Sequence, residues 1–352
     1  MAFVPVFILI LLLTIVIDYF AGIGIEASLG AKRKLYLVCS IVANVGVLAF
    51  FKYYNFFAAN IQASATLLGV PCSVPVLNIL LPIGLSFHTF QAMAYTIEVY
   101  RGAQRAEKHF GIYSLYVMFY PQLVAGPIER PQNLIHQFKE EHRLEFDNLA
   151  GGLRLMLWGL FKKTVIADRI APMVNAVYAA PQEDSPLMLL LATYCFALQI
   201  YCDFSGYSDM AIGAARIMGF NLMTNFKRPY FSSSVQEFWR RWHISLSTWF
   251  KDYLYVPLGG SRTSEARLYF NILVVFLVSG FWHGANWTYI VWGALHGAYI
   301  MLGRAFSALN RLAKVPSNFP LSNLLSVLLT FNLVSVAAIF FRETNLHGAR
   351  LL

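Results

Sequence analysis

The chain has 352 residues, 58% of them hydrophobic and 13% charged, with a mean hydropathy of +0.55. A soluble domain carries about 25% charged residues, so this composition excludes a water-soluble enzyme and implies an integral membrane protein. The formal charge of +9 would suggest nucleic acid in a soluble chain, but here Lys and Arg fall between apolar segments, the positive-inside pattern, so the bilayer is the expected partner and nucleic acid is not.

Apolar runs of about 17–25 residues are long enough to cross a bilayer as helices, and the alternating strands of a barrel are absent. The expected fold class is all-α and polytopic: one membrane-embedded domain over residues 1–352, with roughly nine to ten apolar segments. Phe3–Ile25 is the first, interrupted by Asp18. No basic stretch or small-residue cleavage site accompanies it, so it reads as a retained helix rather than a cleaved signal. The loop Ala31–Lys34 should be cytoplasmic. Leu35–Ala59 returns across, with Lys52 placed to snorkel. Asn60–Pro75 carries no charge and reads as an external loop. Leu77–Tyr100 comes back and ends at Arg101, Arg105 and Lys108, again cytoplasmic. The four cysteines form no framework and read as buried small hydrophobes.

Phe110–Ala125 is interrupted at Tyr120-Pro121-Gln122 and reads as a broken or re-entrant helix. Pro131–Asn148 should be a solvated connection, Gly151–Ile170 an interfacial or shallow span, and Ala171–Pro186 external. Leu187–Tyr201 is a span that runs into CDFSGYSDMAIG, with Asp203 and Asp209 near membrane depth and Gly206 and Gly213 permitting close helix approach. Leu268–Gly284 and Trp287–Leu302 read as an antiparallel pair, its end placed on the cytoplasmic side by Arg304, Arg311 and Lys314. Leu321–Phe341 is the last span.

The chemistry concentrates between Ser234 and Gly297. Val235, Phe238, Trp239, Trp242, Leu246, Trp249 and Tyr253 share one face of an expected helix, with His243 at its edge beside Trp239 and Phe250. That pattern alone suits an interfacial helix anchored by Trp and Arg. His283 lies roughly 24 Å along a helix that starts at Arg267, which places it in the outer half of the membrane. A neutral imidazole there could take a proton from a hydroxyl and return it, or could be a structural histidine packed between helices. Asp203 and Asp209 read equally as a proton pathway or as structural pairs. No HExxH, CxxC or His-x3-His pattern is present, so no metal site is expected; nor is there a GxSxG elbow, P-loop or GxGxxG. His88 is intramembrane without an assigned role, and His296 lies in the span after His283.

Taken together, SFHTFQAMAYTIEVYRG, FYPQLVAGPIER, YCDFSGYSDMAIG, QEFWRRWHISLSTWFKDYLYVPLGG and SGFWHGANWTYIVWGALHG resemble the membrane-bound O-acyltransferase family over about Leu81 to Phe341, the core motifs of the domain. The resemblance is greatest to bacterial polysaccharide O-acetyltransferases of the alginate O-acetylase type. It implies a ring of tilted transmembrane and re-entrant helices around a central tunnel, in the bacterial inner membrane, with truncation at both ends an open alternative. It implies transfer of an acyl group from a cytoplasmic donor, acetyl-CoA or another acyl thioester, to hydroxyls of an exported polysaccharide such as alginate, completed by a periplasmic acyltransferase partner, with no bound cofactor. The catalytic histidine of Trp-His-Gly matches His283, and the second histidine, in the RRWH motif, matches His243. On this reading Arg240 and Arg241 suit the donor phosphates, Trp282 and Trp287 wall the chamber against water, and Asp203 joins the binding set. Peptidoglycan or teichoic-acid acyl transfer, a transporter or flippase, and an inactive scaffold are the alternatives.

Overall fold

A computed structural model describes residues 7–82, 84–312 and 320–351. Phe3–Val6 and Lys314 of the expected spans lie outside the described residues. Among these residues the elements are helices without strands. They are α1 (Phe7–Ala27), α2 (Gly30–Leu48), α3 (Tyr54–Leu67), α4 (Leu85–Arg101), α5 (Phe110–Met118), α6 (Pro131–Leu134), α7 (Phe146–Phe161), α8 (Asp168–Ala179), α9 (Pro186–Ile217), α10 (Val235–Arg241), α11 (Ile244–Phe250), α12 (Glu265–His283), α13 (Trp287–Leu312), α14 (Pro320–Arg342) and α15 (Leu346–Leu351). Single π-helical turns at Ala49–Tyr53, Lys162–Ala167 and Lys251–Tyr255 interrupt the longer runs. Five helices among the described residues are long and apolar enough to cross a membrane: Phe7–Ala27, Gly30–Leu67, Pro186–Ile217, Glu265–His283 and Asn323–Arg342. That is fewer than the apolar runs suggested, because several runs fold as short, bent or mixed helices.

The chain forms two compact units, Met1–Asn148 with Ala215–Leu222, and Leu149–Ala214 with Met223–Leu352. In the first, α1, α2 and α4 pack together with polarity inverted relative to a soluble bundle. Leu9, Leu13 and Phe20 are exposed, whereas Thr14, Asp18, Ser40 and Asn44 are buried. Apolar side chains outward and polar ones inward suit a lipid surround, where polar groups must find partners inside the protein. Asp18 does not break α1. Its carboxylate accepts from Ser40 Oγ at 2.6 Å and from Asn44 Nδ2 at 2.9 and 2.8 Å.

Several expected boundaries move. α3 continues to Leu67, through half of the expected loop Asn60–Pro75, because nothing in that stretch stops a helix before Gly69, at φ +69°. The span expected from Leu77 begins only at Leu85, after Pro75 and Pro82 and a left-handed Gly84. The preceding stretch is tied to α3 instead: Asn55 Nδ2 donates to the Leu77 carbonyl at 2.8 Å and its Oδ1 accepts from Leu77 N at 3.0 Å. α5 stops at Met118 and gives way to turns, as the Pro121 interruption implied. The connection 131–148 is not simply solvated: the Gln137 amide zips onto both backbone groups of Asn221, at 2.8 and 3.0 Å. Cys202 is buried and Cys195 half-buried; Cys39 is on the outer face of α2, which suits contact with lipid, whereas Cys72 is exposed outside any helix, so the buried-hydrophobe reading fails there; all four are free thiols.

In the second unit, α8 carries the chain from Asp168 to Ala179, so the first half of the stretch expected outside is helical; the helix ends at Ala179, with Ala180 as its cap just before Pro181. α9 is one 32-residue helix that includes the whole CDFSGYSDMAIG motif. Gly206 and Gly213 meet Gly159 and Gly152 of α7 so closely that a Cβ on Gly206 would stand 2.7 Å from the Gly159 carbonyl oxygen. The π turn after α7 turns two lysines toward α9. Lys162 Nζ pairs with Asp209 at 2.6 Å and with Ser205 Oγ at 2.9 Å, and Lys163 Nζ pairs with Asp203 at 2.6 Å and Asp168 at 2.8 Å. α12 and α13 form the expected antiparallel pair, joined by residues 284–286 alone, with Gly280 and Gly293 at the seam. On α14, Leu324, Leu325, Leu328 and Leu329 face outward while Val334 and Ala337 face inward.

Candidate active site

The sequence dictates a helix start at Ser234. Its hydroxyl accepts from Glu237 N at 3.1 Å, and the Glu237 carboxylate accepts in return from Ser233 N at 2.8 Å and Ser233 Oγ at 2.9 Å. The Ser233 N–H, with Arg241 beyond it, holds the Glu237 carboxyl below its usual range. The helix does not run on to Tyr253. It ends at Arg241, and His243 adopts a left-handed backbone at φ +42° before α11 begins. The break is imposed from a distance. Lys227 N donates to the Arg241 carbonyl and Ile244 N to the Asn225 carbonyl, both at 2.9 Å. Asn225 Oδ1 accepts from Ser245 N at 3.3 Å and Ser245 Oγ at 3.0 Å, capping α11 from outside. The single aromatic stripe is thereby split. The Phe238 ring packs with Trp239 and Trp242, whereas Trp249 packs with Phe250 and Tyr253.

His283 is the last residue of α12. Its ring stands 4.8 Å from the Trp282 ring, 5.0 Å from Trp292 and 5.1 Å from Phe341, all edge-on. It opens into a cleft of about 60 Å³, whose walls include Trp239, Trp242, Trp292, His296 and Phe341. His296 is buried, and its Nδ1 accepts from Trp239 Nε1 at 3.2 Å. Trp239 is also a wall of a larger cavity of about 200 Å³. That cavity is lined by apolar groups such as Leu246, Ile272 and Phe276 and carries Lys251 and Arg304.

The other expected site residues are distributed differently. Trp282 is buried beside His283. His243 is buried with its ring edge-on to Phe204 at 4.7 Å and is not among the lining residues of either cavity. Arg240 is exposed, and Arg241 pairs with Glu237. Trp287 is 52% exposed and does not line the His283 cleft. Asp203 lies on α9, half exposed and paired with Lys163. The residues that the sequence reading left out are Trp239 and Trp292 as walls, His296 as a second imidazole, and Lys251 and Arg304 as cations. Trp292 and His296, four apart on α13, share a helix face and carried a periodic signal; Lys251 and Arg304 are joined only by the tertiary fold.

A multi-pass helical membrane protein with a histidine at the end of a span, set in an aromatic cleft, has the form of a membrane acyltransferase. The chain belongs to the membrane-bound O-acyltransferase family, whose family model matches residues 103–341. It is 38% identical to the peptidoglycan O-acetyltransferase of Helicobacter pylori, over 96% of this chain and 67% of the relative. It is 40% identical to a protein of Azotobacter vinelandii named "Probable alginate O-acetylase", over 95% of this chain and 65% of the relative. With the teichoic acid D-alanyltransferase of Bacillus subtilis it shares 27% identity over 78% of this chain and 71% of the relative. The chain thus spans 67% and 65% of the length of the two O-acetyltransferase relatives.

Proposed function

We propose that this protein is an O-acetyltransferase of the bacterial inner membrane that passes an acetyl group from acetyl-CoA, or another cytoplasmic acyl thioester, toward hydroxyls of an exported polysaccharide such as alginate. The observation that carries this reading is the pair of adjoining cavities that share Trp239. The larger one has apolar walls and two cations. Lys251 and Arg304 suit the phosphates of a CoA-type donor and lie on segments whose basic character marks the cytoplasmic side. We assign the donor phosphates to this pair rather than to Arg240 and Arg241. The smaller cavity, about 60 Å³, suits a two-carbon acyl group better than a long chain.

In this scheme His283 is the general base. The acceptor oxygen attacks the thioester carbon as its proton passes to the imidazole. The tetrahedral intermediate then collapses, the C–S bond breaks, and the imidazolium returns the proton to the leaving sulfur. Trp239 and Trp292, both in the cleft wall, keep water from the acyl group, and Trp282 packs beside His283. His243 holds the α10–α11 break against Phe204 and acts on the cleft through the position of Trp239 and Trp242. With α12 and α13 joined by residues 284–286 alone, a separate periplasmic acyltransferase is expected to present the polymer. Peptidoglycan is the second acceptor to test, on the strength of the Helicobacter pylori relative.

The test is the O-acetyl content of alginate and of peptidoglycan in a deletion strain, complemented with wild-type protein or with His283→Gln. Loss on deletion, restored by wild-type and not by His283→Gln at equal expression, is expected. Normal acetylation with His283→Gln would overturn the base assignment.

A further inference from the structure

We infer that His296 is a second working imidazole of the His283 cleft, a neutral hydrogen-bond donor to the thioester carbonyl whose tautomer is set by Trp239. This rests on the acyl-transfer reading above and extends it to a residue with a different duty. An indole nitrogen has a proton to give and no lone pair to accept with. At 3.2 Å from Trp239 Nε1, His296 Nδ1 must therefore be the acceptor, and the neutral ring carries its proton on Nε2. The surroundings keep it neutral. The ring lies parallel to Phe238 at 6.3 Å and near-parallel to Phe276 at 6.2 Å, and meets the Trp292 edge at 4.9 Å and Tyr299 at 6.1 Å. Aromatic carbon is a poor host for an imidazolium. Its Nδ1 is occupied by Trp239, and the residue is 2% exposed yet lines the cleft. The remaining N–H is thus the polar group that His296 can offer there.

Acyl transfer needs both kinds of imidazole. The base takes a proton, and a fixed donor must meet the carbonyl oxygen as it gains charge. Trp292 touches both rings, 5.0 Å from His283 and 4.9 Å from His296, and all three line the same cleft. His296 keeps its proton throughout; the proton that moves is the one the acceptor hydroxyl gives to His283 and His283 gives to the leaving sulfur. Trp239, which touches His296 rather than the reacting atoms, is a positioning residue. A neutral imidazole locked in one tautomer is a known form of carbonyl electrophile.

The experiment uses membranes from the deletion strain carrying wild-type, His296→Gln, His296→Phe or His283→Gln protein. Labelled acetyl-CoA is supplied from the cytoplasmic face, and acetyl transferred to polymer is counted against donor concentration. Glutamine keeps an N–H near the position of Nε2, whereas phenylalanine keeps the ring and loses it. Removing one donor of this kind costs about 10²–10³-fold in maximal rate. His296→Phe should show that loss with the half-saturating acetyl-CoA concentration little changed, and His296→Gln should recover much of it, all at equal amounts of folded protein by thermal unfolding. A His296→Phe rate equal to wild type, or a folded His296→Gln as slow as His296→Phe, overturns the assignment of His296 alone. If wild-type membranes move no acetyl from acetyl-CoA, or His283→Gln matches wild type, the underlying acyl-transfer scheme fails and takes this assignment with it.

Discussion

Replacing Asp209 by Ala should destabilise the second unit more than any exposed charge change. Lys162 is 8% exposed and Asp209 23%, with Nζ and Oδ2 2.6 Å apart. Removing the carboxylate leaves an ammonium among apolar helices with Ser205 Oγ, at 2.9 Å, as its remaining close polar contact here. Breaking a buried pair from one side costs about 3–5 kcal/mol. Partial exposure of Asp209 and the Ser205 contact place this case near the low end, about 3 kcal/mol. For a unit of this size 1 kcal/mol moves the midpoint by about 2–4 °C, so the variant should unfold about 6–12 °C lower. Thermal unfolding of purified protein in detergent reads this directly. The double variant Lys162→Met, Asp209→Leu should recover most of the loss, since a well-packed apolar pair replaces a buried ion pair at little cost. An Asp209→Ala midpoint within a degree or two of wild type would refute the reasoning, because Lys162 would then be solvated rather than held by Asp209.

The remaining predictions concern the seam and the sidedness. A Cβ on Gly280 would overlap the Tyr289 carbonyl oxygen, which is backbone and cannot swing aside; Gly280→Ala should therefore push α12 from α13 just three residues below His283. Misplacement by about 1 Å costs roughly 10²-fold in rate, so acetyl transfer should fall while the protein still inserts, and an unchanged rate would show that the seam does not position His283. Cys72 is exposed in an uncharged stretch expected outside. With the other three cysteines changed to Ala, an impermeant maleimide should label it in intact cells, whereas labelling confined to broken cells would invert the topology.

The spans were legible because apolar length is a local property: α1, α9, α12 and α14 fall close to where the runs placed them. So were the close approaches at Gly206 and Gly213, since small residues a heptad apart announce a helix contact. His283 was legible as the last residue of a span counted from Arg267. What escaped depended on partners far away in sequence. The stripe from Val235 to Tyr253 is periodic, yet it breaks at His243 because Asn225 offers hydrogen bonds that no local pattern reveals. The π turns at Lys162 and Lys251 shift the helical register without any proline or glycine to mark them. His296 gains meaning only from Trp239, 57 residues away. Trp287 misled for the opposite reason: nearness in sequence to His283 put it on the outer face of a helix start, while Trp292, five residues later, reached the cleft.

The left-handed backbone at His243 makes this position unlike an ordinary one for sequence drift. A residue with a Cβ held at φ +42° carries about 1–3 kcal/mol of conformational cost, which alanine would inherit and glycine would not. Asparagine also tolerates this region better than most. Exchange here is therefore filtered twice, once by the backbone, which favours Gly, Asn and His, and once by the ring that must fill the space against Phe204. Alanine deletes the imidazole and keeps the strain, whereas glycine deletes the imidazole and releases it. Comparing the two variants would divide what the chain gains from the side chain from what it spends to hold the turn that splits α10 from α11.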